Sequence, residues 1–307
     1  MKHFSYTGSG PYCFSNAFAM MFGEMSPPPN VIEFATSSAF GMHLLGGTLP
    51  FFDPYGWTPE ASFDDALAAL GWASDLVRGD DPQSALSTLK AALADGPVWI
   101  GPVEMGHLGH QPGRVGPIGA DHYVVVIEMD ETSVLMHDPE GYPYARLPLD
   151  LFLKAWRMET LDYGTPFTLR CGFRRITARS GADVIRAALP AARKWLSCTG
   201  TSEVPPGTIG NGEAAEALAA MVEKDMKEDL RNHLIHFAVR VGARRTADAA
   251  TCLMQIGETR AAAILDRQAR LIGSLQYPLV NRDDATAAAH LRALAPTYDA
   301  LLEALPT

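Results

Sequence analysis

Cys13 stands where a thiol can become a nucleophile, at the beginning of an apolar, helix-like segment that follows a glycine-rich stretch. Pro11 suits the entry to a helix, because a residue in the first turn needs no partner for its backbone amide. The free amides of that turn and the positive end of the helix dipole favour a thiolate over a thiol. Cys13 is therefore a candidate nucleophile if a histidine reaches it, and otherwise a small buried residue of an ordinary helix.

His122 and Asp138 lie in two neighbouring apolar segments that predict a β-hairpin. Residues 121–127 and 133–139 are rich in β-branched and apolar side chains, and a short polar segment separates them. A hairpin folded symmetrically about Asp130 would place His122 and Asp138 opposite each other, with Cβ atoms about 5 Å apart. A two-residue turn has the wrong parity for this pairing, so we predict a loop of about three or five residues.

Cys13, His122 and Asp138 together supply the groups for nucleophilic catalysis. The imidazole would accept the thiol proton, and the carboxylate would fix the imidazole tautomer and stabilise the charged ring. The backbone amide of Cys13 is one donor for an oxyanion. We predict these three residues as catalytic, although their order in the chain does not by itself bring them together.

Histidines near the hairpin offer a second chemistry, a metal site. Four of them are close in the sequence: His107, His110, His122 and His137. Zinc accepts histidine ligands, but this spacing matches none of its usual patterns. We therefore predict no metal and no cofactor.

The composition limits the classes of protein to which this chain can belong. Its 307 residues, 47% hydrophobic and 20% charged, are typical of a globular protein of one large or two ordinary domains. The net charge of −10 argues against nucleic acid as a partner. The absence of a secretory signal and of a membrane-length apolar run, with four cysteines in no paired spacing, predicts a cytoplasmic protein with free thiols.

The order of the predicted elements indicates an α+β fold with a C-terminal helical domain. Helices are predicted over residues 31–35, 62–71, 82–94, 149–157 and 183–196, and strands outside the hairpin over residues 97–103 and 167–176. Alanine-rich helical patterns follow. The predicted division is a catalytic domain over residues 1–178, a helix and linker over residues 179–212, and a helical domain over residues 213–307.

Two loops are predicted near the site. Residues 105–120 are long and rich in glycine, which suits a mobile flap. Residues 41–57 combine glycine, proline and aromatic residues, and either wall a pocket or pack on the core.

The segments Gly-Pro-Tyr-Cys13-Phe-Ser-Asn, Asp-His122-Tyr-Val-Val-Val and His-Asp138-Pro-Glu-Gly-Tyr resemble the three boxes of papain-like cysteine enzymes of the bacteriocin-processing peptidase group. Within that group they look most like the butirosin biosynthesis protein H N-terminal family. The resemblance covers roughly residues 8–178 and implies a papain-like fold, with a helix that carries the cysteine packed on an antiparallel sheet.

This resemblance also implies an activity, that of acyltransferases which move an acyl group from a carrier-protein thioester to an amine in antibiotic and other secondary-metabolite biosynthesis. Cys13 would be acylated, His122 would shuttle protons and Asp138 would orient His122. The predicted partners are an acyl carrier protein and a small amine acceptor. A cysteine peptidase or amidase, or a non-catalytic binding protein on the same fold, remains the alternative, and the helical tail either shapes the pocket or forms a homodimer.

One departure from the family pattern concerns the oxyanion hole. Papain-like peptidases usually carry a glutamine a few residues before the cysteine, and residues 6–10 contain none. Tyr6 or Thr7 is the predicted substitute. Thioesters have a better leaving group than amides and tolerate a weaker oxyanion hole, so this departure favours acyl transfer over proteolysis.

The remaining predictions concern binding residues. The predicted substrate-binding residues are Tyr6, Thr7, Phe51, Tyr123 and Tyr142. Residues 157–194 carry eight Arg and Lys against three Asp and Glu, which is either a solvated surface or a docking face for an acidic partner. We place the predicted carrier-protein contact near Arg174 and Arg175.

Overall fold

The computed structural model of the protein describes residues 11–199 and 204–306. The helices, in chain order, are α1 (Cys13–Phe22), α2 (Pro29–Ala35), α3 (Pro59–Leu70), α4 (Pro82–Leu93), α5 (Leu149–Arg157), α6 (Gly181–Leu196), α7 (Asn211–Asp225), α8 (Glu228–His233), α9 (Val239–Gln255), α10 (Thr259–Gly273), α11 (Gln276–Val280), α12 (Asp284–Leu294) and α13 (Thr297–Ala304). Short 3₁₀ turns occupy Gly23–Met25 and Met105–His107, and a π-helical turn occupies Leu234–Ala238. The strands are β1 (His43–Leu45), β2 (Leu49–Phe51), β3 (Trp72–Arg78), β4 (Val98–Glu104), β5 (Asp121–Met129), β6 (Ser133–Asp138), β7 (Tyr142–Pro148), β8 (Thr168–Arg175) and β9 (Ile209–Gly210).

The chain forms two compact units that do not follow the predicted division throughout. The first unit combines the described residues up to 29 with residues 71–178, and the second combines residues 30–70 with residues 179–306. The boundary at residue 178 is where the sequence places it. The prediction of one continuous domain over residues 1–178 is wrong for residues 30–70.

The first unit is an antiparallel sheet with helices, as an α+β fold requires. The strand order is β3-β8-β4-β5-β6-β7, and every neighbouring pair is antiparallel. The strand β3 has no counterpart among the predicted elements, because its side chains are mostly half-exposed and its sequence shows no clear alternation. The predicted helices over residues 82–94 and 149–157 are confirmed as α4 and α5.

Alternate residues of the central strands β4 and β5 pack into different parts of the core. Ile100 and Val124 belong to an apolar cluster that also contains Phe152 of α5. Trp99 stacks on Phe18 of α1, with ring centroids 5.0 Å apart. The helix that begins with Cys13 is therefore fixed to the sheet by aromatic side chains in its middle.

Contacts within the second unit explain why residues 30–70 do not belong to the predicted catalytic domain. Strand β1 pairs with β2 and also with β9, which lies within the predicted linker over residues 179–212. Arg245 of α9 donates from Nε to Glu33 at 2.7 Å and from Nη1 to Asp53 at 3.1 Å. A buried arginine and two largely buried carboxylates are costly to separate, so these ion pairs tie residues 30–70 to the helices.

The C-terminal helical region runs from α7 to α13, as the alanine-rich pattern predicts. Residues 41–57 contain β1 and β2 and are not the irregular loop that their glycines and prolines indicate. Within the described parts of the chain, no helix is both long and apolar enough to cross a membrane.

Candidate active site

Cys13 is the first residue of α1, so the predicted helix start is confirmed. Tyr12 precedes it in a left-handed conformation with φ 112° and ψ 37°, a region that non-glycine residues enter at a cost. The Tyr12 side chain makes no capping hydrogen bond to this end of the helix. The first-turn amides and a partly exposed thiol therefore lie together, and the strained residue fixes the direction from which the chain enters. Tyr6 and Thr7 lie outside the described residues.

His122 and Asp138 are joined by a short hydrogen bond in the interior of the first unit. The distance from His122 Nε2 to Asp138 Oδ1 is 2.7 Å, and the residues are 2% and 0% exposed. Because Nε2 is engaged by the carboxylate, Nδ1 is the ring nitrogen left for a second partner, and His122 is also hydrogen-bonded to Cys13. The structure thus brings the three predicted catalytic side chains together.

The protonation of His122 is set by opposing influences. Burial lowers the pKa of the imidazole, but the charge of Asp138 and the hydrogen bonds with Asp138 and Cys13 outweigh burial, so that the pKa is raised well above its ordinary value. A proton taken from the thiol is therefore retained by the ring around neutral pH. This is the ionic arrangement that activates a cysteine nucleophile.

The hairpin register predicted from sequence is wrong, although its loop has three residues between the strand ends. The observed pairs are Val125 with His137 and Val126 with Met136, and a bulge follows before Glu128. Extended along the strands, this register sets Asp138 opposite Val124 and diagonal to His122. Diagonal neighbours on one face are still within reach of long side chains, which is why the hydrogen bond forms.

Asp138 accepts hydrogen bonds from four donors. His122 Nε2 and the Glu140 amide donate to Oδ1, at 2.7 and 2.8 Å. His110 Nε2 and Gln111 Nε2 donate to Oδ2, both at 2.7 Å. Burial raises the pKa of the carboxyl group, but the charge of His122 and these hydrogen bonds hold it far below its ordinary value. Asp138 consequently stays ionised below the pH at which an ordinary aspartate takes up a proton.

His110 and Gln111 are functional candidates that the sequence does not reveal. Their loop is predicted to lie beside the site, but its glycine-rich sequence has no periodicity that orients a side chain. In the sequence, His110 is a candidate only for a metal ligand. Within residues 11–199 and 204–306, no group of three or more His, Cys, Asp or Glu side chains is arranged to hold a metal ion.

Glu104 fastens the 105–120 loop at its base. Its Oε1 accepts from the amides of Gly106 and Ile118, both at 3.0 Å, and its Oε2 accepts from the Gly119 amide at 3.0 Å and from the Thr160 hydroxyl. Burial raises the pKa of this carboxyl group, and the four hydrogen bonds lower it below its ordinary value. The loop predicted as a flap is thus tied at both ends by one buried anion.

The other predicted binding residues are divided between different environments. Tyr142 lies beside the site, with its ring edge-on to His110 at 5.5 Å. Tyr123 is 0% exposed and packs against Phe14 and Trp99, and its role as a binding residue stays a prediction. Phe51 belongs to the second unit, where its ring contacts His43, His233 and Phe237.

The basic segment over residues 157–194 belongs partly to each of the two compact units. It crosses the boundary between the compact units at residue 178, and Arg170 within it is buried. Arg174 and Arg175 are exposed on β8, and Arg174 forms an ion pair with Asp75 at 2.8 Å. The carrier-protein contact near these two residues stays a prediction.

Comparison with known proteins gives two similarities. Residues 205–306, which contain α7 to α13, match the family described as the YobF C-terminal domain. The chain is also 25% identical over 282 residues to a Bacillus subtilis (strain 168) protein described as "Uncharacterized protein YobF", an alignment that covers 91% of this chain and 90% of that protein. The second similarity therefore extends over residues of both compact units.

Proposed function

We propose that this protein is a cysteine-dependent acyltransferase that forms an acyl-Cys13 thioester and passes the acyl group to an amine. The observation that carries the proposal is the short hydrogen bond between His122 and the buried, ionised Asp138, with Cys13 hydrogen-bonded to the same imidazole. A thiol, a base and an orienting anion in this order are the parts of a nucleophilic acyl-transfer site.

The reaction has two acyl-transfer steps, and the bonds and protons of both are accounted for by the donor, the amine, Cys13 and His122. The Cys13 thiolate attacks the thioester carbonyl of the donor, a new C–S bond forms, and the donor thiolate leaves with the proton held by His122. The amine then attacks the acyl-Cys13 carbonyl, an amide bond forms, and the Cys13 thiolate leaves while His122 accepts the proton of the amine. Asp138 stays ionised and keeps Nε2 protonated, so that Nδ1 exchanges the proton.

A thioester donor fits the sequence better than an amide donor. Residues 1–12 contain no glutamine, and the Cys13 amide is an oxyanion donor that the helix start offers. A thiolate leaves a tetrahedral intermediate readily, whereas an amine must be protonated first. On the resemblance described above, we assign the donor to a carrier-protein thioester and the setting to secondary-metabolite biosynthesis in the cytoplasm.

Intact-protein mass spectrometry tests this function. Incubation with N-acetylcysteamine thioesters of several chain lengths should add one acyl mass, and Cys13→Ala should abolish the addition. Cys171→Ala is a matched control, because Cys171 is also partly exposed but burial raises the pKa of its thiol. Addition of an amine should discharge the acyl enzyme to an amide. Discharge to the free acid alone would favour the hydrolase, and labelling that survives Cys13→Ala would contradict the proposal.

Charge reversal at Arg174 and Arg175 tests the carrier-protein contact. We expect Arg174→Glu with Arg175→Glu to raise KM for a carrier-bound donor about 10-fold at low salt, with the difference fading as salt increases. The KM for an N-acetylcysteamine donor should not change. Arg260→Glu with Arg267→Glu carries the same charge change on the exposed side of α10 and is the control. Equal KM values for both double variants would eliminate this surface.

A further inference from the structure

The carboxylate of Asp138 is held from the side opposite His122 by two side chains of one loop. His110 Nε2 and Gln111 Nε2 both lie 2.7 Å from Oδ2, and all three side chains are buried or nearly so. Because the anion accepts only, His110 must present an N–H at Nε2. Both donors therefore point at a single oxygen that plays no direct part in the contact with His122.

Such a pair of donors fixes the rotation of the carboxylate. The torsion that turns a carboxyl group is broad, so a single hydrogen bond from His122 would leave the group free to rotate. Two donors on Oδ2 and the Glu140 amide on Oδ1 leave one orientation in which all hydrogen bonds are made. In that orientation Oδ1 faces Nε2 of His122.

The 105–120 loop fixes the donors in turn. Arg114 donates from Nε to Gln111 Oε1 at 3.2 Å, which sets the amide with its NH₂ group toward Asp138. The backbone amide of Gln111 donates to the carbonyl oxygen of Leu108 at 2.9 Å. The backbone amide of Met105 donates to the carbonyl oxygen of Ala120 at 2.8 Å, across the base of the loop. Glu104 binds amides at both ends of the same loop. Hydrogen bonds and the short backbone segments between them thus connect Glu104 to Asp138.

We propose that His110 and Gln111 are positioning residues that hold Asp138 in the orientation that serves His122, and that Glu104 acts on the same orientation through the 105–120 loop. The proposal rests on the proposed role of Cys13 as the nucleophile. The titratable or charged residues near this carboxylate include His110, His122, Arg114 by way of Gln111, Cys13 by way of His122, Glu140 through its amide, and Tyr142, which is edge-on to His110.

The test is the pH dependence of Cys13 alkylation by iodoacetamide, followed on the Cys13 peptide by mass spectrometry. This readout needs no acyl donor, so it is independent of whether the enzyme transfers acyl groups. His110→Leu removes one donor, and Gln111→Leu removes the other. If either fixes the carboxylate, its loss lets Asp138 turn from His122, and the thiolate–imidazolium pair should weaken. We expect alkylation near pH 6 to slow about 10-fold in each variant.

His110→Gln is the matched rescue. It keeps an N–H donor near the position of Nε2 and deletes Nδ1, which is buried without a hydrogen-bond partner in the described structure. Its alkylation profile should lie within about 3-fold of the parent protein. Glu104→Gln, which touches none of the three catalytic side chains, should shift the profile in the same direction as His110→Leu. Val115→Ala, on the 98% exposed tip of the same loop, should leave it unchanged.

The outcomes separate the alternatives. If His110 and Gln111 only draw negative charge away from the oxygen that binds His122, removal of either donor would strengthen the interaction between Asp138 and His122. Faster alkylation at low pH in His110→Leu or Gln111→Leu would therefore overturn the positioning role. Unchanged profiles in both folded leucine variants would overturn it as well, and if either variant fails to fold, the other and Glu104→Gln decide. A parent Cys13 that reacts no faster than a free thiol would instead refute the proposed nucleophile. Shifted profiles without acyl transfer would refute the reaction and keep the positioning role.

Discussion

Replacement of His122 by alanine should lower the rate of acyl transfer from a thioester donor roughly 1,000-fold or more, which is the scale on which the base of a catalytic triad acts. The loss follows from the site geometry. Without the imidazole, the Cys13 thiol loses the base to which it is hydrogen-bonded, and the leaving thiolate loses the proton that this base would supply. The measurement is kcat/KM with one donor and one amine, beside the thermal unfolding of the variant.

Two further variants make this prediction specific. His122→Gln keeps an N–H that can bind Asp138 and cannot act as a base near neutral pH, so it should remain as inactive as His122→Ala while unfolding closer to the parent protein. The double variant Cys13→Ala with His122→Ala should be no more than about 3-fold slower than Cys13→Ala alone, because residues that act as a unit are not additive. Additive losses would mean that His122 acts without Cys13, and the triad would be the wrong description.

The parts of this site that the sequence predicts are local ones. The glycine and proline before Cys13 mark a helix start, and runs of β-branched and apolar residues mark the strands that carry His122 and Asp138. The pairing of those strands is not local, because a bulge between Val126 and Glu128 changes the register. His122 and Asp138 are not directly opposite each other, as the sequence predicts, but their side chains reach diagonally across the strands and still form a hydrogen bond.

The direction of the Tyr123 side chain can be inferred from the sequence, although the motif resemblance suggests a binding residue. Successive side chains of a strand point to opposite faces, so a residue next to His122 cannot share its direction. Tyr123 packs on Trp99 and Phe14 beneath α1, and its hydroxyl lies 3.4 Å from that of Tyr163. In this structure its side chain therefore serves the packing of the helix on the sheet.

His110 and Gln111 mark the limit of prediction from sequence. They act on Asp138 from 28 and 27 residues away, in a loop whose shape depends on backbone amides bound to Glu104. No spacing rule connects a buried glutamate to the glycines that follow it in the chain. The same holds for Arg245, whose partners Glu33 and Asp53 lie 212 and 192 residues away and determine which compact unit residues 30–70 join.

Asp138→Ala should have the largest effect on stability of any single substitution in the first unit, a loss of about 3–5 kcal/mol in the free energy of unfolding. Asp138 is 0% exposed, and its removal leaves three side-chain donors and one backbone amide without their acceptor. Unfolding by urea, with the slope checked to be unchanged, measures the loss. Asp138→Asn keeps the side-chain volume, but its NH₂ group must face the two donors that bind either Oδ1 or Oδ2 in the parent protein. This variant should therefore recover only part of the lost free energy of unfolding.

The pH dependence of this difference gives the sharper test. The pKa of Asp138 is lowered on folding, so its stabilisation is present above about pH 4, the ordinary value for an aspartate, and declines as the pH falls toward the folded-state value. The pKa of His122 is raised, so its stabilisation is present below about pH 6.5 and declines as the pH rises toward the folded-state value.

Asp138→Ala removes both contributions, and the difference from the parent protein should therefore be greatest between about pH 4 and 6.5 and smaller on either side. The measurement is a set of urea midpoints from pH 3 to pH 9, converted with a common slope. A loss that is independent of pH would show that Asp138 stabilises the fold by packing alone. The proposed ion pair between Asp138 and His122, on which activation of Cys13 depends, would then be refuted.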